Sequence, residues 1–356
     1  MGIIRTSQQD IKGYYDAKGL NQSSLKLLLK SRKDFLYPPL FERKKYFVIG
    51  SAVDHFLTAE ENTFDNIFCI LDTQKPSEKE VEILETVLTK AIQKDYIENI
   101  SLDNCTDEIT DAIVQFNWQP NWKMETRINK ILEKGRDYFQ FLKESEGKEI
   151  ITAEELDIAL NVAEAFKSSN NTSFLFTDTP ELDIYYQLPI YFKYKDISCK
   201  ALLDAVIVHH DKEKNIVNVF PYDIKTTSKN TIDFPNDLKF YRYDIQAAFY
   251  MQALEYWVLD KYPSVACTIN NFSFVVGSTV DEVNPLVFKC DDSILSIGKR
   301  GSNSLITYDN RQYFEKINGY DQIIDDYLWY EENGWEQDRV IVENNGQFTV
   351  NWSGIV

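Results

Sequence analysis

Apolar positions change their spacing along this chain, from helix-like recurrence in the first half to strand-like runs in the second. In the first half they return every three to four residues, which collects them on one helical face. This spacing predicts an all-helical segment with helices near 23–36, 48–59, 78–95, 124–146 and 153–168. The last opens on a capping box, Thr152 with Glu155, ahead of Leu156, Ala159, Val162, Ala163 and Phe166. Beyond residue 180 the apolar runs shorten, and 182–194, 197–208 and 216–225 read as strands. The polar segment from His209 to Asn215 joins the last two into an expected β-hairpin. A helix follows over 241–259, then strands near 268–277 and 285–290, then a helix near 311–332. The stretch 96–123 reads as a loop inserted in the helical half, and Val340 to Trp352 as a hairpin around Asn345-Gly346.

Composition narrows the class only slightly. A chain of 356 residues, 44% hydrophobic and 14% aromatic, has material for one large domain or two smaller ones and is not a disordered polymer. No apolar run approaches the roughly 18 residues of a membrane helix, so no membrane partner is expected. Residues 1–10 lack the apolar core of a signal sequence. Cys69, Cys105, Cys199, Cys267 and Cys290 are scattered, which points to reduced thiols in a cytosol and away from a zinc or iron–sulfur site.

Charge changes the picture more. A net charge of −18 opposes a nucleic-acid partner, because phosphates call for a basic surface. The acids are unevenly placed, however. Residues 60–111 carry fourteen acids against four bases, whereas 26–45 carry seven bases, Lys26, Lys30, Arg32, Lys33, Arg43, Lys44 and Lys45, against two acids. Such a stripe acts within a Debye length of ~10 Å while a distant acidic face stays in solvent. A solvated, incidentally basic helix face is the plainer reading.

The candidate chemistry centres on Asp223-Ile224-Lys225. Four Asp-x-Lys tripeptides occur, starting at Asp10, Asp16, Asp223 and Asp237. Only the third closes an apolar strand-like run and precedes a helix with Gln246 and Tyr250 at i, i+4. Strand side chains alternate, so Asp223 and Lys225 share a face while Ile224 turns to the core and offers its carbonyl. Asp204 stands alone within Ala201–Val208, where an unpaired acid is costly to bury, and can approach the same cation from the neighbouring strand. Carboxylates suit Mg²⁺, which prefers oxygen ligands and keeps several waters. Lys225 would orient an attacking water and offset charge building on a phosphate. Gln246 and Tyr250 would hold Lys225, metal waters or a phosphate, with Arg242 one turn back as a phosphate contact; core packing is the ordinary alternative for Tyr250. Pro221 lacks an N–H and favours an edge or a bulge, and the long span from Asp204 to Asp223 leaves their register open. His55 falls on a predicted helix after Gly50, where an ordinary helix-face histidine is the alternative to a ligand.

In order, Gly50-x(4)-His55, Asp204 in a strand, Asp223-Ile224-Lys225-Thr226-Thr227 and Gln246-x(3)-Tyr250 resemble the PD-(D/E)xK nucleases of the RecB-like branch. Within that branch the chain is most similar to RecE-type, exonuclease VIII-like phage exonucleases. Leu20–Ser31 resembles that family's opening helix, Thr152–Glu155 the helix before its sheet, and Asn284-Pro285 through Gly334-Trp335 its C-terminal part, so the likeness spans roughly 14–337. The four-cysteine cluster of some RecB-like relatives has no counterpart here. The resemblance implies an α/β restriction-endonuclease-like core, a mixed sheet flanked by helices, with a helical N-terminal half. It divides the chain into 1–170, 171–337 and a C-terminal hairpin over 338–356. It implies Mg²⁺-dependent (or Mn²⁺-dependent) hydrolysis of linear double-stranded DNA from its ends, 5′ to 3′. It further implies a homo-oligomeric ring, a single-strand annealing protein as partner, and the cytoplasm of a bacterium or a phage-infected host. Asp204, Asp223 and the Ile224 carbonyl become metal ligands, His55 a metal ligand or a residue that supports one, and Glu181 an acid near the metal. Asp204, Asp223, Lys225, Gln246 and Tyr250 become the catalytic set, and the basic stripe with Arg242 the DNA contacts. Two other readings stand beside this one: a PD-(D/E)xK endonuclease of repair or defence, and a catalytically silent member that binds DNA ends or a protein.

Overall fold

The computed structural model describes residues 2–39, 45–280, 284–308, 311–347, 350–351 and 354–355. The chain starts with β1 (Ile3–Arg5), α1 (Gln8–Asp16), α2 (Gln22–Lys30), α3 (Arg32–Leu36), α4 (Lys45–Thr58) and α5 (Phe64–Ile67). Next come β2 (Phe68–Leu71), α6 (Glu78–Ile92), α7 (Thr106–Gln115), α8 (Met124–Glu144), β3 (Glu149–Thr152) and α9 (Ala153–Ser168). The sheet-forming part contains β4 (Leu182–Tyr194), β5 (Ile197–Asp211), β6 (Ile216–Thr227), α10 (Phe234–Phe240), α11 (Tyr243–Lys261), β7 (Ala266–Ile269), β8 (Ser273–Ser278) and β9 (Leu286–Lys289). It closes with α12 (Asp292–Arg300), β10 (Ser302–Tyr308), β11 (Arg311–Ile317), α13 (Tyr320–Asn333), α14 (Arg339–Glu343), β12 (Val350–Asn351) and β13 (Gly354–Ile355). Among the described residues no helix is long and apolar enough to cross a membrane.

Contacts divide the chain into two compact units. One comprises Met1–Tyr46, Val53–Glu60 and Leu160–Val356, and is built on a mixed seven-stranded sheet in the order β1-β4-β5-β6-β8-β9, with β7 also paired to β6. β4, β5 and β6 are antiparallel, β8 is parallel to β6, and β9 is antiparallel to β8. Helix α11 is buried on nearly every side, as expected of a helix central to its unit. Phe249, Phe272, Phe274 and Tyr320 are among the large side chains that fill the core around it. The other unit, Phe47–Ala52 with Glu61–Ala159, has its own core of Ile83, Leu84, Val87, Ile109, Ile113, Ile131 and Phe139. In it β2 and β3 form a parallel pair.

These units do not follow a single cut near residue 170. The opening residues belong with the sheet, because β1 adds to β4 and the Leu20 main chain bonds to Ser198 and Lys200 at 3.0 and 2.8 Å. Several expected elements also change. The first half is not all helical, since β1, β2 and β3 lie in it. The helix expected over 23–36 breaks at Ser31, whose extended backbone ends α2 while its hydroxyl caps α3 by accepting the Asp34 N–H. The stretch 96–123 contains α7, which buries Ile109, Ala112 and Ile113. Residues 311–317 pair with β10 as a strand, and the helix of this region starts only after Gly319. Val340–Val342 are helical, and the terminal hairpin forms later, between Val350 and Ile355. The Thr152/Glu155 capping box forms as expected, at 2.9 and 3.2 Å.

Pro221 sits on a central strand. β6 pairs with β7 through Val219 and with β8 from Tyr222 onward, so Pro221 falls in the gap where the partner changes. At that point the missing N–H leaves no ladder bond unmade on that side.

Candidate active site

The β5–β6 ladder runs from Asp211 opposite Ile216 to Ala205 opposite Tyr222, and stops there. The next residues in that register are Asp204 and Asp223, so the two carboxylates stand on opposite strands where the strands part. Like charges directly opposed across a sheet repel. In place of a ladder bond, Asp204 Oδ2 accepts the Ile224 N–H at 2.8 Å. The open register of the long hairpin thus resolves with the acids facing each other.

At the same level β4 is interrupted. Its pairs with β5 include Tyr186 with Ala205 and Leu188 with Leu203, and between them Gln187 takes φ +50°. A non-glycine residue in this left-handed region costs ~1–2 kcal/mol. Such strain persists where surrounding contacts over-determine it. Here the Gln187 amide donates to both carboxylate oxygens of Asp54, at 3.1 and 2.9 Å. Asp54 comes from α4 and joins the two strand acids.

Asp223 is the most enclosed of the three acids, at 1% exposure. The Lys225 ammonium pairs with it, as the alternation of strand side chains requires, and Gln246 Nε2 of α11 donates to its Oδ1 at 2.6 Å. Its Oδ2 abuts Lys225 yet lacks a well-directed hydrogen bond. The Tyr243 ring lies beneath Lys225, with the ammonium 5.1 Å from its centroid. Tyr250 is buried, 5.9 Å from Phe272 between centroids, so core packing and proximity to the acids coexist.

Three acids share this space with Lys225 against one of them, and the electrostatics follow. Burial, then the charge of Asp223, pushes the Asp54 carboxyl up to about 7, although Lys225, Thr58 and Gln187 pull the other way. Burial, Asp223 and Asp54 drive Asp204 well above the usual carboxylate range, against Lys225 and the Ile224 N–H. Both keep some solvent contact at their edges while protein surrounds them closely, which is why desolvation leads. Burial alone would lower the Lys225 ammonium, but Asp223, Asp204 and Tyr243 more than offset it and hold it above its ordinary value. Burial and the same two acids push the Tyr250 phenol well up. The Tyr15 phenol is raised by burial, with Asp54 and Asp204 adding to it, although the residue as a whole is 68% exposed.

The structure therefore brings together Asp204, Asp223, Lys225, Gln246 and Tyr250, and adds Asp54, Gln187, Lys26, Tyr15 and Tyr243. It does not place His55 in this group. His55 follows Asp54 on α4, about 100° further round the helix. His55 is half-buried, edge-on to Phe56 at 6.1 Å, with its imidazole lowered by burial. Glu181 is also apart. It is exposed just before β4, six residues from Gln187, or about 20 Å of strand at ~3.3 Å per residue. Arg242, left-handed at φ +52°, is held by Asp244 at 2.9 Å twice and by the Asn318 carbonyl at 2.8 Å, so it is engaged as the cap of α11. Gln246 holds Asp223 rather than Lys225.

The described residues of the basic stripe have different surroundings. Lys26 reaches the site, Lys30 pairs with Asp34 at 2.8 Å, and Lys33 is exposed. Arg32 donates to the Trp335 carbonyl at 3.0 Å and lies over the Tyr330 ring. Arg43, Lys44 and the Lys45 side chain lie outside the described residues.

Asp54 had one sequence signal, its place beside His55 in the same short motif. Gln187 had another, a polar residue inside the apolar run Leu182–Tyr194. Tyr15 had none, and Lys26 had only its place in the basic stripe, because the packing of the opening helices is what brings them here.

Among the described residues no three His, Cys, Asp or Glu side chains form a ready-made metal cluster. The donor chemistry nevertheless fits a hard divalent cation. Asp204 and Asp223 offer carboxylate oxygens, one of them buried without a well-directed hydrogen bond, at a place where excess negative charge raises carboxyl pKa values. Two carboxylates suffice for Mg²⁺, which keeps several waters.

No protein-family model matches the chain, and no curated protein matches its sequence. Among solved structures it is similar to the crystal structure of a protein from Eubacterium rectale provisionally assigned as an exonuclease. The identity is 11% and the TM-score 0.28, over 63% of this chain and 80% of that one. Likeness at this level transfers no activity from that protein to this chain.

Proposed function

We propose that this chain is a divalent-metal-dependent deoxyribonuclease of the PD-(D/E)xK type, hydrolysing phosphodiester bonds of linear double-stranded DNA from its ends. The observation that carries the reading is the Asp204–Asp223 pair, opposed where β5 and β6 part, with Lys225 against Asp223. Two acids on adjacent strands with a lysine two residues beyond the second form the arrangement that the sequence resemblance implies.

Each residue has a task that its contacts support. Asp204 and Asp223 would hold Mg²⁺ or Mn²⁺, with the Ile224 carbonyl as a further oxygen donor. The ion, when bound, would polarise a phosphoryl oxygen and lower the pKa of the attacking water. Gln246 fixes the Asp223 carboxylate from α11, so the acid is oriented before substrate arrives. Gln187 does the same for Asp54, which adds negative charge beside the ligands and draws a cation in. The Lys225 ammonium, held protonated by the acids and Tyr243, would orient the attacking water and stabilise charge developing on the phosphate. Polarity from 5′ to 3′, a ring assembly and a single-strand annealing partner belong to this proposal through the resemblance alone.

The test uses linear and covalently closed circular duplexes of one sequence, end-labelled on either strand, with Mg²⁺ or with a chelator. Mg²⁺-dependent loss of the linear form alone, with 5′-label released first, is the expected result. Cutting of the circle would make the protein an endonuclease. No cleavage of either form in any divalent cation would remove the nuclease reading.

A further inference from the structure

We propose that Lys26 and Lys225 together form a phosphate-binding site at the reaction centre, with Lys26 contacting the substrate's phosphate group instead of gripping the duplex at a distance. This rests on the nuclease reading and deepens it. Lys26 lies on α2, whose first turn is fixed by reciprocal bonds between Asn21 and Ser24 and whose Leu25 and Leu28 are buried in the core. Its position is therefore set by packing. Its ammonium stands 5.0 Å from the centroid of the Tyr243 ring, the same ring that lies 5.1 Å from Lys225 Nζ.

Two half-buried ammoniums over one ring repel, and they differ in how they are satisfied. Lys225 has Asp223. Among the described residues, Lys26 Nζ makes no hydrogen bond and no ion pair, and it lies against the face of Tyr243. Burial and the nearby Lys225 bring its pKa down to about 7, although Asp223 and Asp244 pull the other way without pairing with it. A protein that only needed charge on its surface has cheaper places for it, as exposed Lys33 illustrates. A tetrahedral oxyanion beside the ring would accept bonds from both ammoniums at once, since charge-assisted hydrogen bonds to phosphate are among the strongest available. The same anion would restore charge to Lys26 and spread the repulsion between the lysines over its oxygens. The phosphodiester to be cleaved and a terminal phosphate share this chemistry.

The experiment compares Lys26→Met and Lys26→Arg with wild type in single-turnover cleavage of linear duplex, alongside separate measurement of duplex affinity. Lys26→Met should slow the cleavage step by at least about tenfold at saturating enzyme, with Lys26→Arg recovering part of the loss and affinity changing little. Duplexes ending in 5′-phosphate and 5′-hydroxyl separate the two sources: a fall confined to the phosphorylated end identifies a terminal phosphate, and an equal fall the scissile diester. A second measurement needs neither catalysis nor a variant. On wild-type protein free of divalent metal, millimolar inorganic phosphate should protect Lys26 from acetylation, read by mass spectrometry, while Lys30 and Lys33 react as before. Wild-type cleavage rates in a folded Lys26→Met variant, an effect on affinity alone, or unprotected Lys26 would each overturn the inference and leave the nuclease reading standing. Absent wild-type cleavage would instead remove that reading, with the protection assay still deciding whether Lys26 binds phosphate.

Discussion

In most strand positions alanine is more stable than glycine by roughly 0.5–1 kcal/mol, because glycine loses more backbone freedom on folding. At Gln187 the order should reverse. Its φ of +50° lies in the left-handed region, where a Cβ costs ~1–2 kcal/mol and glycine pays no such penalty. Gln187→Ala and Gln187→Gly both remove the amide that holds Asp54, so that loss, about 1.5–3 kcal/mol for hydrogen bonds to a charged group, cancels between them. What remains is backbone strain against backbone entropy, and Gln187→Gly should be more stable than Gln187→Ala by about 0.5–1 kcal/mol. Urea unfolding followed by fluorescence reads this as a higher midpoint for the glycine variant, by about 0.3 M at an m-value of roughly 3 kcal/mol/M. Both variants should be less stable than wild type at low pH, where the Asp54 carboxyl is protonated, by less than at neutral pH. A midpoint for the alanine variant equal to or above that of glycine would mean that the fold does not impose the left-handed turn. The account of why Asp54 faces the acids would then fail.

Three further outcomes follow from the same contacts. Lys225→Ala should bind Mn²⁺ in calorimetry yet lose cleavage, whereas Asp204→Ala should weaken Mn²⁺ binding itself; equal loss of metal affinity in both would contradict the division of roles. Metal-free protein should become less stable as pH rises. A carboxyl raised in the folded state contributes stability that is complete below its unfolded pKa of ~3.9 and lost as pH passes its folded value, about 7 for Asp54. Thermal midpoints should therefore fall between about pH 4 and pH 8 and recover on adding Mg²⁺, and a midpoint that rises over this range would refute the crowding of the acids. Gly298→Ala should destabilise by the upper part of the roughly 1–3 kcal/mol range for overpacking, because a Cβ there overlaps the Asp244 carbonyl and comes within 2.9 Å of Ala248 Cβ; a thermal midpoint unchanged by this substitution would show that α11 and α12 do not approach so closely.

What the sequence disclosed depended on range. The strands predicted over 182–194, 197–208 and 216–225 form, the last two running on to Asp211 and Thr227, because alternation and β-rich composition are local, and the shared face of Asp223 and Lys225 follows from the same alternation. The break at Ser31 and the strand at 311–317 were not, since one serine can continue or cap a helix and a short apolar run fits either period. At the site, Asp204 and Gln246 could be named from position alone. Choosing Asp54 over His55 required the rotation of α4, which periodicity near a helix end does not define. Lys26 looked like part of a charged stripe because spacing along α2 says nothing about Tyr243, which is more than two hundred residues away in sequence. Arg32 and Arg242 looked available for phosphate because the Trp335 and Asn318 carbonyls that engage them come from distant segments, although Asp244, the other partner of Arg242, is only two residues away.

The most direct test of the central claim is the rate of Mg²⁺-dependent cleavage of end-labelled linear duplex by Asp223→Asn compared with wild type. Asparagine keeps the shape and an oxygen for Gln246, and removes the negative charge that pairs Lys225 and would hold the cation. The account predicts cleavage by wild type, and a fall of about a hundredfold or more in a variant that unfolds at a similar temperature. Cleavage by folded, purified Asp223→Asn at the wild-type rate would show that the chemistry is not performed at this site.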